Sequence, residues 1–171
     1  MLFIGEFLSL SLPIFQGKIV VAVNAIHRAA PGRLYSSAQG EPLGVSIDLF
    51  LYDLKTLDDA KHRDYTGVSN RIILENLGCL SRWGKNVIVR VPVIPGVNDD
   101  LDEIRKLGLF IASLGNVHEI QVLPYHRTGV EKYQRLGNDY QMPQTVPPSG
   151  EKIETVANEL RQHVASVCIG G

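Results

Sequence analysis

The chain of 171 residues carries only two cysteines, Cys79 and Cys168. Two thiols so far apart supply neither a Cys-only zinc site nor the thiolate set of an iron–sulfur cluster. Nothing else in the sequence looks secreted, so they read as reduced thiols of a cytoplasmic protein rather than as a disulfide. Charge of one sign is missing too. The formal net charge is −1 and the pI about 6.5, with no run of five like charges. This argues against a nucleic-acid partner and against an electrostatic tail. A membrane-length apolar run is also lacking. The opening "MLFIGEFLSLSLPIF" has no basic n-region, is interrupted by Glu6 and is shorter than the ~20 residues that span a bilayer. It reads as a displaced core segment, and no membrane association is expected. Finally, His27, His62, His118 and His163 are scattered, with no two at metal-ligand spacing.

What is present is an ordinary globular composition, 44% hydrophobic and 20% charged, in a length that suits one domain with a sizeable core. From residue 46 onward one theme repeats: apolar run, turn, amphipathic helix, apolar run. The first strand is expected over 47–52, followed by a polar helical turn ending at Gly67. Ser69 then reads as the cap of a helix whose apolar positions Ile73, Leu77 and Leu80 recur at helical spacing. A second strand, "NVIVRVPVI", closes on Pro95-Gly96. Asn98 reads as the cap of the next helix, whose stripe is Leu101, Ile104, Leu107, Ile111 and Leu114. The third strand, "EIQVL", runs into Pro124-Tyr125-His126. A short helix is expected around "EKYQRL", and three prolines in "MPQTVPPSG" forbid a continuous helix there. Ser149 caps a last helix carrying Ile153, Val156, Leu160 and Val164, and "SVCI" reads as a final short strand. Residues 1–45 contain one strand-like run, "GKIVVAV", in an otherwise turn-rich segment, so they read as divergent, with 46–171 the regular unit.

Near-continuous apolar strands alternating with helices predict an α/β fold with a parallel sheet covered on both faces. Right-handed crossovers would bring the strand exits to one edge. Asp53, Lys55, Arg90 and His126 therefore gather around one rim, the usual place for a ligand in such sheets. Each has a plainer reading as well. Asp53 and Lys55, two apart on a strand, could form a simple salt bridge. His126 could be a capping or core histidine. Arg90 needs a partner in any reading, and both cysteines read as packing residues.

The stretches "DLFLYDLKTLDDAKHRDYTGVSNRIILENL", "VIVRVPVIPGVNDDLDEI", "SLGNVHEIQVLPYHRTGVEKYQRLG" and "PPSGEKIETV", in this order from Ile47 to Gly171, resemble the C-terminal half of the glycyl-radical-enzyme activating enzymes. These are radical S-adenosylmethionine (SAM) proteins similar to pyruvate formate-lyase activating enzyme. The resemblance implies a partial (β/α) barrel of which this chain is roughly the C-terminal half. It implies that Asp53 lies near the SAM carboxylate with a monovalent cation between, that Lys55 reaches toward SAM, and that His126 contacts it. Arg90 would point into the barrel. The mixed charge of this rim suits a zwitterion such as SAM, and two unscreened carboxylates would repel without a cation between them. The implied partner is a glycyl radical enzyme, and the implied cofactors are SAM and a [4Fe-4S] cluster.

The family's CxxxCxxC motif is absent, as are its Gly-Gly-Glu and Asp-Thr-x-Gly segments. Without three clustered thiolates there is no open-site cluster and no reductive cleavage of SAM. The expectation is a truncated or mis-framed member, inactive by itself, whose half barrel leaves strand edges uncovered. The alternatives are a non-catalytic module, which binds a glycyl radical enzyme or complements a cluster-bearing half, and a small α/β protein that has lost the radical chemistry.

Overall fold

The computed structural model describes residues 14–15, 18–23, 49–126 and 145–170. The helix expected around "EKYQRL" and most of residues 1–45, His27 included, lie outside the described residues. The described elements are β1 (Ile14–Phe15), β2 (Lys18–Val23), β3 (Leu49–Asp53), α1 (Asp59–Thr66), α2 (Arg71–Arg82), β4 (Val87–Val93), α3 (Leu101–Ser113), β5 (Val117–Pro124), α4 (Gly150–Arg161) and β6 (Ser166–Ile169). Among the described residues they form one sheet in the order β1-β2-β3-β4-β5-β6. The short β1 pairs antiparallel to β2, and β2 through β6 run parallel. The exits of β3, β4 and β5 therefore share one edge, as the alternation of elements requires.

Side-chain alternation divides the sheet into two faces. Phe50 and Tyr52 of β3, Val89, Val91 and Val93 of β4, and Ile120 and Val122 of β5 are buried on one of them. Against these pack Ile73, Leu77 and Leu80 of α2, Ile104, Leu107 and Ile111 of α3, and Ile153, Val156 and Leu160 of α4. Burying a Leu in such a core is worth roughly 1.5–3 kcal/mol, and every apolar stripe legible in the sequence lands here. The Tyr52 hydroxyl donates to the carbonyl of Ile73 at 2.7 Å, tying β3 to α2; burial pushes this phenol well above its ordinary value.

The expectation of a sheet covered on both faces does not hold for the described helices. The other face carries Leu51, Asp53, Ile88, Arg90, Glu119, Gln121 and Leu123, all half-buried. Apolar and polar residues mixed on a half-buried face are what the inside of a curled, barrel-like sheet presents, and they make the strands look continuous in sequence. A register irregularity helps: Val87 faces Val117 but Ile88 faces Glu119, so β5 has one extra residue at His118. That bulge lets Val117 and Ile120, three apart, point to the same side.

Two caps also differ from expectation. Asp100, not Asn98, caps α3, accepting from the N–H groups of Asp102 and Glu103. Asn70 occupies the cap position of α2 without a side-chain cap bond. Ser69, expected there, accepts from Arg71 N–H at 3.2 Å and donates to Asp59 at 2.5 Å. Ser149 caps α4 as expected.

Candidate functional site at the strand exits

The strand register builds the site. Asp53, the last residue of β3, lies opposite Arg90 of β4, Arg90 opposite Gln121 of β5, and Gln121 opposite Cys168 of β6. One polar rung thus crosses four strands on the half-buried face. Arg90 donates from Nε and from Nη2 to Asp53 Oδ1, each at 2.6 Å. These side chains are 15% and 20% exposed, Asp53 and Arg90 respectively. Burial pushes the Asp53 carboxyl above the usual carboxylate range, against the pull of Arg90 and Lys55. The partner of Asp53 is therefore Arg90 across the ladder, and not Lys55 two residues on. On β5, Gln121 Nε2 donates to Glu119 Oε1 at 3.1 Å.

Lys55 lies two residues past the end of β3. Burial pulls its ammonium below the ordinary lysine value, while Asp53 pushes it up. It makes no ion pair among the described residues. A cavity of about 290 Å³ lies beside it, with Thr56, Asp58, Asn98, Glu103 and Lys106 in its lining. Asn98, read from the sequence as a cap, is instead buried at the junction of the β3 and β4 exits. A signal for this was there: Asp100 follows within two residues and can cap α3 alone, leaving Asn98 free. His62 was not expected at the rim. It is buried in α1, its ring bonded to the Val68 carbonyl at 2.7 Å; burial, with Lys55 adding to it, lowers its pKa.

His126 follows β5 on the same edge, after Tyr125, whose N–H donates to the Val93 carbonyl at 3.0 Å. Its side chain is exposed and makes no bond to Asp53, Lys55 or Arg90 among the described residues. The structure thus joins Asp53 and Arg90, sets Lys55 within electrostatic reach of Asp53, and leaves His126 at the margin.

The two thiols do not meet. Cys79 sits on α2, where Arg82 Nη2 donates to its sulfur at 3.0 Å, whereas Cys168 is exposed in the β6 rung. Among the described residues no group of three or more His, Cys, Asp and Glu is placed to hold a metal ion. Nor, among them, is any helix long and apolar enough to cross a membrane.

A parallel sheet with helices on one face and a mixed-charge rim at its strand exits defines an α/β protein of the open-barrel class. The chain is 34% identical over 171 residues to the trans-4-hydroxy-L-proline dehydratase activating enzyme of Clostridioides difficile, covering 98% of this chain and 56% of that protein. It is 37% identical over 131 residues to pyruvate formate-lyase 1-activating enzyme of Escherichia coli, covering 77% of this chain and 53% of that one. A crystal structure of a domain of pyruvate-formate lyase-activating enzyme from Bacteroides vulgatus superposes with a TM-score of 0.63 and 27% identity, over 76% of this chain and 71% of that one. No family model matches. The relatives matched are glycyl-radical-enzyme activating enzymes, and the chain spans about half the length of the curated ones.

Proposed function

We propose that these 171 residues form the SAM-binding rim of a glycyl-radical-enzyme activating protein and do not by themselves hold its cluster. The observation that carries the reading is the Asp53–Arg90 ion pair beside half-buried Lys55, which makes no ion pair among the described residues, at the exits of adjacent parallel strands. A zwitterion needs both signs at short range, and this rim offers them. Lys55 would meet the SAM carboxylate, with Asp53 nearby through a monovalent cation. His126 would close over the ligand from the end of β5, and Arg90 would hold Asp53 in place.

SAM supplies the adenosyl radical in the chemistry proposed for the intact protein, whose target is a glycine of a partner glycyl radical enzyme. A [4Fe-4S] cluster does not fit these residues. Two cysteines are too few for its three thiolates, and one lies on a helix while the other lies in a strand rung on the opposite side of the sheet. The chain alone is inactive in SAM cleavage. The cluster then comes from residues other than these.

Calorimetric titration of SAM into the chain tests the reading. Saturable binding is expected, weakened about tenfold or more in Lys55→Met, which keeps the apolar stem and removes the charge. Absence of saturable binding to the folded wild type, or an unchanged affinity in Lys55→Met, overturns it.

A further inference from the structure

Asn98 is 4% exposed and uses its carboxamide three times. Its Oδ1 accepts from the Ile94 N–H at 2.8 Å, and its Nδ2 donates to the carbonyls of Lys55 and Pro92, both at 2.7 Å. The two carbonyls belong to different parts of the rim. Pro92 is in β4, whereas Lys55 lies beyond the last residue of β3. The ladder between these strands ends at Asp53↔Arg90, with Leu54 N–H still donating to the Arg90 carbonyl at 2.9 Å. Past that point the Asn98 side chain bridges what the backbone no longer joins.

We propose that Asn98 is a positioning residue for Lys55: it fixes the Lys55 backbone against the β4 exit so that the ammonium is presented beside the Asp53–Arg90 pair. The inference rests on the reading of this rim as a SAM site. The chemistry is specific to a carboxamide. Two donors and one acceptor are needed at one buried point, and among the side chains only Asn and Gln supply them from one planar group. Aspartate keeps the acceptor for Ile94 but sets its second oxygen against two carbonyls. Alanine leaves the Ile94 N–H without its acceptor in a site too buried for easy solvation. Among the described residues, the titratable groups near Lys55 are Asp53 and His62, with Asp58, Glu103 and Lys106 lining the adjoining cavity and Lys61 and Tyr65 lining a smaller one beside it. A backbone freed at Lys55 would let the ammonium turn away from Asp53 toward these or toward solvent.

The test compares the full chain with Asn98→Ala, Asn98→Asp and Leu77→Ala. The last removes a core side chain of α2 away from the rim and serves as a control for general loss of stability. Two quantities are read: SAM affinity by calorimetry, and the titration of Lys55 by NMR after reductive ¹³C-methylation. Both Asn98 variants are expected to weaken SAM binding by about tenfold or more and to return Lys55 toward the titration of an exposed lysine. Leu77→Ala should change neither by more than about twofold or its equivalent shift. Asn98→Asp retains the Ile94 bond and keeps the test alive should Asn98→Ala fail to fold. Wild-type affinity in the Asn98 variants overturns the proposal, as does equal loss in the Leu77 control. If the folded wild type binds no SAM, the site reading falls, and the Lys55 titration alone decides: an unshifted Lys55 in the Asn98 variants overturns the positioning role, and a shifted one sustains it.

Discussion

His62 must carry its proton on Nδ1, because that nitrogen faces the Val68 carbonyl at 2.7 Å and a carbonyl can only accept. The Thr66 hydroxyl, 2.9 Å from the same nitrogen, donates to the His62 carbonyl. Burial then disfavours a second proton, and the nearby Lys55 disfavours it further. A histidine whose folded-state pKa is lowered favours the unfolded chain when protonated. Its stabilising neutral form is fully present above the unfolded value of ~6.5, and stability falls as pH drops from there through the folded-state pKa. Urea unfolding between pH 7.5 and 5.5 should show this loss. His62→Asn, whose Nδ2 can still reach Val68, should flatten that part of the profile. Asp53 works in the opposite sense. Its raised pKa means that stability falls as pH rises from the unfolded value of ~3.9 to its own higher one. The ion pair with Arg90 thus offsets only part of the cost of burying the carboxylate. Asp53→Asn should change stability by less than about 2 kcal/mol, since both partners keep some contact with solvent. Under the proposed function the same variant should lose SAM affinity, and the two effects are separable by measuring unfolding and binding on one preparation.

Between elements, one glycine is held to its size by a neighbouring side chain. Gly108 lies in α3, where alanine would ordinarily gain about 0.5–1 kcal/mol. A Cβ there would stand 2.7 Å from Cδ2 of His163, just past the end of α4, so the gain reverses. Gly108→Ala is expected to cost about 1–3 kcal/mol, and the cost should disappear when His163→Ala is added. A double-mutant cycle in urea reads the coupling directly. No sequence pattern announced this contact, because it depends on where two helices meet. Other parts of the fold were open to reading. The stripes of α2, α3 and α4, the turn at Pro95-Gly96 and the last strand rest on local periodicity and capping, and they stand as expected. What escaped depends on tertiary pairing. The start of β5 is hidden because the bulge at His118 breaks strict alternation, and Asn98 reads as a cap because cap chemistry and buried bridging favour the same side chain. That Asp53, Lys55 and Arg90 share one rim could be read from the order of the elements. That Asp53 chooses Arg90 could not, since cross-strand register is invisible to local spacing.

Across the whole molecule, stability should grade along the sheet. Alternate residues of β4 from Val89 to Val93 are fully buried and the strand is paired on both sides, whereas β6 ends in exposed Cys168 and Ile169. Amide exchange followed by mass spectrometry should therefore find β4 and β5 the slowest and β6 distinctly faster. Faster exchange in β4 than in β6 would contradict this order. The rung that joins these strands has a practical consequence for watching the molecule at work. Neighbouring strands are spaced ~4.8 Å apart, which sets Cys168 roughly 14 Å from Asp53 along the rung. Its thiol is exposed, while Cys79 is half-buried beside Arg82. The native chain thus offers its own attachment point for a fluorophore or spin label, one small-molecule length from the charged pair, and occupancy of the rim can be followed optically without engineering a new cysteine.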